Sequence, residues 1–184
     1  MSEQDESMTA AMDRTVGDWL PEGAEILWQS EKLFDGGAFL QKHVLAVDPD
    51  DGSVTVIRGW MSGPQGTPAV SVDLSVPYEA FAGDIDSDTF PHSPERGQAA
   101  LSSRPDPLEM AFRAELLGEQ VEVLWESKPD HSYAAFIARS AKVNRSEHVV
   151  AGVVSVENGV TTVDIGFRQE LAALKPAVTP TTPR

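Results

Sequence analysis

Leu108, Phe112, Leu116 and Leu117 recur at helical spacing behind Asp106, a good helix cap, and Pro107, a good first helical residue; Gly118 closes the segment. A matching helix is predicted from about Met8 to Leu20, ended by Pro21 and Gly23. After each helix the pattern changes to alternation. Ile26, Trp28 and Ser30 alternate with Leu27 and Gln29, Phe39 to Val47 forms a second run, Val54 to Trp60 a third, and Val70, Val72, Leu74 and Val76 alternate with polar residues as a fourth. Asp48-Pro49-Asp50-Asp51-Gly52 joins the second run to the third as a turn. In the second half, strands are predicted near 120–128, 133–143, 147–156 and 160–167, with Glu157-Asn158-Gly159 as the last turn.

The two halves are related. Glu25-Ile26-Leu27-Trp28-Gln29-Ser30 reappears as Glu122-Val123-Leu124-Trp125-Glu126-Ser127 at an offset of 97 (122 − 25), and Ala38-Phe39 and Ala135-Phe136 share that offset. Gly52, Thr55, Val56, Gly59 and Trp60 match Gly159, Thr162, Val163, Gly166 and Phe167 at 107. This alignment places ten extra residues (107 − 97) between the second and third strands of the second copy. The expected fold is α+β, an internally duplicated helix-plus-four-strand unit with mostly antiparallel sheets packed about a pseudo-twofold axis. Its expected parts are a disordered start (1–7), a first repeat (8–83), an acidic, proline-rich linker (84–106), a second repeat (107–175) and a disordered tail (176–184).

Composition narrows the chemistry. The 184 residues contain no Cys, which excludes thiol catalysis, zinc-thiolate sites and iron–sulfur clusters. The opening residues Met1 to Glu6 are acidic and polar, the opposite of a secretory signal, and no apolar run approaches the ~18 residues of a spanning helix. A cytoplasmic protein is expected. The formal charge of −15 is uneven: residues 1–90 hold 17 Asp and Glu against 4 Lys and Arg, residues 91–184 hold 12 against 10. Such a field repels nucleic acid and anionic membranes and suits a basic protein partner.

Few residues suggest a site. Asp84, Asp86 and Asp88, with Glu95 at the twelfth place, have the spacing of a calcium loop, but Thr89 stands where the turn needs glycine and Pro91 and Pro94 stiffen the segment. The four histidines show no metal-ligand spacing, and no cofactor is expected. His43 shares a strand face with Phe39, Leu45 and Val47. Arg58 lies among Val54, Val56 and Trp60, where the alignment puts Ile165 in the other copy, and needs a carboxylate or an anionic ligand there. Trp28 and Trp125 read as equivalent core residues. Neither a nucleophile elbow nor a lysine-bearing phosphate loop is present.

Gly118-Glu119 and Val123-Leu124-Trp125-Glu126-Ser127-Lys128-Pro129 resemble the opening strand of small bacterial pleckstrin-homology-like domains. The seven-strand run and final helix of that family are not evident in either copy, so the resemblance carries no residue role. The pattern therefore points first to a non-enzymatic binding or adaptor protein with a protein partner, and to a homodimer through open sheet edges. The alternative is a small-ligand binder or cryptic enzyme with a pocket between the repeats lined by Trp28, His43, Arg58 and Trp60.

Overall fold

A helix, α1 (Glu3–Trp19), precedes four strands, β1 (Glu25–Phe34), β2 (Phe39–Val47), β3 (Val54–Ser62) and β4 (Ala69–Val76), and a short helix α2 (Tyr78–Ala82). A second helix-led set follows: α3 (Pro107–Glu115), β5 (Gln120–Glu126), β6 (Tyr133–Ala141), β7 (His148–Glu157) and β8 (Val160–Glu170). The structure is a computed structural model that describes residues 3–63, 66–83, 107–127 and 133–175. Among the described residues all six strand pairings are antiparallel, giving two sheets of order β1-β2-β3-β4 and β5-β6-β7-β8. The chain is an α+β protein with a duplicated unit. Among the described residues, one compact unit comprises those up to Phe81 with Leu174 and Lys175, and the other Ala82–Ala173.

α1 and α3 each cover one face of their own sheet. Met8, Met12 and Val16, spaced by four along α1, bury against Leu40, Val44, Ala46, Ile57 and Met61. Burying side chains of this size contributes roughly 1.5–3 kcal/mol each. Gly59 lets α1 come close, since a Cβ there would lie 2.5 Å from Met12 Sδ. In the second unit, Leu108, Phe112 and Leu116 pack on Val123, Ala134, Phe136, Ala138, Val150 and Val154. The small Ala134 and Ala138 flank Phe136, whose ring stacks on Phe112 with centroids 4.9 Å apart.

Turn chemistry fixes the hairpins. Asp48 Oδ1 accepts from the Asp50 amide and Asp51 Oδ1 from the Ser53 amide, both at 2.8 Å, and Gly52 adopts φ 74°. Asn158 and Gly159 both take positive φ, as a two-residue hairpin turn requires.

Three sequence expectations are corrected. The chain is helical from Glu3, where disorder was expected through residue 7. The counterpart of β3 is β7, and of the residues matched at offset 107, Thr162, Val163, Gly166 and Phe167 lie on the fourth strand, β8, with Gly159 in the turn before it. The loops before β3 and β7 are equally long (48–53 and 142–147), so there is no ten-residue insertion. Finally, Phe39 and Phe136 are not equivalent. Both copies bulge before the repeated tryptophan, after which Trp28 pairs with Leu45 and Trp125 with Ile137, an offset of 92 on the second strand (137 − 45). No helix among the described residues is long and apolar enough to cross a membrane.

Candidate functional site

The face of the first sheet turned away from α1 is assembled in cross-strand rows. Trp28, Leu45, Val56 and Leu74 form an apolar row, all buried. The next row is polar: Ser30 opposite His43, His43 opposite Arg58, and Arg58 opposite Ser71. Beyond it come Lys32, Gln41, Trp60 and Ala69, then Phe34 opposite Phe39. Trp28, His43, Arg58 and Trp60 thus share one face, as strand alternation predicts.

Their environments differ sharply. Trp28 is 8% exposed and His43 1%, Arg58 is half-buried, and Trp60 is 44% exposed. Burial, with the Arg58 guanidinium beside it, pushes the His43 imidazole down to about 4. A neutral imidazole facing a cation is a poor proton acceptor, because the charge it would gain is both desolvated and repelled. Arg58 meets Asp73, with Nε 3.5 Å from Oδ2, and Asp73 also accepts from the Ser71 hydroxyl at 2.9 Å. A bulge in β4 opposite the Val56–Ile57 step brings Asp73 onto this row. Arg58 therefore has the carboxylate that its position demands. Trp60 stacks on Phe39 at 5.7 Å, and Phe39 meets Phe34 edge-on at 6.1 Å.

The counterparts of this row in the second unit differ from those that the repeated phrases suggest. Through the strand pairings, His43 corresponds to Ala135 and Arg58 to Val153, replacing Ser140 and Ile165. Ser127, in the place of Ser30, accepts from the Ala135 amide at 2.8 Å and so continues the hairpin ladder.

Two charged clusters were not singled out in the sequence. Lys42, 5% exposed, projects from β2 on the α1 side, where it pairs with Asp13 and lies 3.6 Å from Glu31; Thr9 donates to Glu31 at 2.8 Å. Arg139, 6% exposed, donates to Glu122 at 3.0 Å and to the Gly83 carbonyl at 2.6 Å. A lysine or arginine inside a run that is otherwise buried was the available signal. Glu119 takes both terminal nitrogens of Arg168, which holds its carboxyl below the usual range.

Asp84, Asp86, Asp88 and Glu95 lie outside the described residues, as do the expected linker and tail. Among the described residues, no three His, Asp or Glu side chains are grouped to hold a metal ion. No family model, curated protein or solved structure matches the chain.

Proposed function

We propose that this is a non-enzymatic binding protein whose first unit takes up a basic protein partner. The observation that carries the reading is the concentration of acid: residues 1–81 hold 14 Asp and Glu against 4 Lys and Arg, a formal −10 of the chain's −15. Two of those four cations, Lys42 and Arg58, are already matched by Asp13, Glu31 and Asp73. Asp18, Glu22, Glu25, Asp50, Asp51 and Glu79 are all exposed. A surface of one sign raises association rates for a partner of the other sign and loses that advantage in salt. A cytoplasmic location accords with the cysteine-free composition, and cell fractionation checks it.

The test is affinity capture from the producing cells at low and raised salt. Baits are the natural chain, a variant with Asp18, Glu22, Glu25 and Asp50 amidated, and a variant with Glu115, Glu147, Glu157 and Asp164 amidated. A basic protein held by the first and third baits and lost by the second supports the reading. Retention indifferent to salt and to the first-unit changes contradicts it.

A second reading, a small-ligand site on the Trp28, His43, Arg58 and Trp60 face, draws on their sharing that face. An anionic ligand there competes with Asp73 for Arg58. Native mass spectrometry of the natural chain and Arg58→Leu tests it: an adduct present in the first and lost in the second supports a ligand, and a bare chain in both opposes it.

A further inference from the structure

Resting on the proposed affinity for a basic partner, we infer that the partner enters as an extended strand along β1, adding a fifth strand to the first sheet. Among the described residues β1 pairs with β2 alone, and its ten residues make a long edge. An edge strand offers unpaired main-chain donors and acceptors, which is the basis of recognition by strand addition.

On its own side of the sheet the helix reaches this edge through Thr9, which donates to Glu31 at 2.8 Å, and leaves Ile26, Gln29 and Leu33 exposed. α1 packs over β3, β4 and β2. On β2, the residues facing it (Leu40, Lys42, Val44 and Ala46) are all buried. Their cross-strand partners on β1, in the same order Leu33, Glu31, Gln29 and Ile26, are all exposed; Leu33 is 38% exposed and Ile26 42%. Two exposed aliphatic side chains with a carboxylate between them thus line a ledge beside the helix. Asp13, half-exposed on α1, adds a second carboxylate there.

The corresponding edge of the second unit is more covered on its helix side. On β5 the helix-side Val123 is buried, Val121 packs against the same core, and Arg113 of α3 donates to the Val121 carbonyl at 2.8 Å. Glu122 is taken by Arg139. Arg113 follows the buried Phe112, and in α1 the residue following the buried Met12 is Asp13. One helix thus guards its edge with a cation, and the other presents an anion beside it.

Charge selects the occupant. A second copy would bring −10 against −10 at this edge, whereas a Lys- or Arg-bearing strand is attracted. Since alternate residues of an added strand face the helix side, its recognisable feature is a basic residue opposite Glu31 with an apolar residue two places away opposite Leu33.

The experiment uses the full chain and a synthetic peptide of repeated Lys-Thr-Val-Thr, which sets lysine and valine in turn along one face, with its glutamate analogue as control. Binding is followed by fluorescence anisotropy, and amide hydrogen exchange locates it. Expected are salt-sensitive binding of the lysine peptide alone, slowed exchange within Glu25–Phe34, and an affinity loss of about tenfold in Glu31→Lys against less than about threefold in Asp50→Lys, which makes the same charge change on the distant loop. Because Glu31 also contacts Lys42, Leu33→Asp serves as a second variant, and circular dichroism checks that both fold. Binding that leaves β1 exchange unchanged, or is weakened equally by Glu31→Lys and Asp50→Lys, overturns the β1 site while leaving the affinity for basic partners standing. A chain dimer protected along β1 overturns the choice of occupant. Failure of any lysine peptide to bind overturns both.

Discussion

Replacing His43 by Gln should flatten the acid limb of the stability curve, by an amount that follows from where the imidazole sits. In the unfolded chain this histidine takes up its proton near its ordinary value of 6.5; in the fold, burial and the Arg58 charge delay protonation to about 4. Because the folded value is lower, the unfolded state binds more protons between these limits. Stability that is present above pH 6.5 is therefore progressively lost as pH falls toward 4. Each pH unit is worth about 1.4 kcal/mol, so the 1.5 units between 6.5 and 5 correspond to about 2 kcal/mol at pH 5. Urea unfolding of the natural chain and His43→Gln at pH 7.5 and pH 5 isolates this contribution, since every other group is common to both. The natural chain should lose about 2 kcal/mol more than the variant across that interval. Equal losses would refute the assignment of His43 as a buried neutral group beside a cation.

Three further outcomes are expected. Gly152→Ala should cost about 2–3 kcal/mol and Gly59→Ala about 1 in the same unfolding assay, because a Cβ at Gly152 meets the Asp164 backbone oxygen at 2.6 Å whereas one at Gly59 meets the flexible end of Met12. Lys42→Met should change stability by less than about 1 kcal/mol, while Asp13→Asn with Glu31→Gln should cost about 3, since the double change strands a buried ammonium. Gly159→Ala should lower stability by about 1 kcal/mol through its φ of 78°, with a thermal melt as the readout.

All eight strands were legible in the sequence because alternation is a direct consequence of one buried sheet face, and Asp-Gly and Asn-Gly mark their turns. Register was not. The second strands are offset by 92 where the Ala-Phe coincidence suggested 97, and an odd slip of five inverts the face: Phe39 points away from α1, while Phe136 points toward α3. The repeated tryptophans survived this error because each follows a bulge at the same place in its strand. Alternation put Arg58 and Trp60 on one side of β3, whereas their meeting with Trp28 and His43 depended on register, and the partner of Arg58 on a bulge in β4 that the pattern does not announce. Lys42 and Arg139 were overlooked because their acids lie 29 and 17 residues away and meet them only in the fold.

On the proposed function, the first unit carries the binding surface and its acid drives association. Titration of the lysine–valine peptide into the full chain at about 0.02 M and about 0.15 M salt, with the amidated first-unit and second-unit variants beside it, tests this most directly. Affinity is expected to fall with salt and with amidation of Asp18, Glu22, Glu25 and Asp50, and to be unchanged by amidation of Glu115, Glu147, Glu157 and Asp164. An affinity insensitive to salt, or one lost only through the second-unit changes, would contradict it.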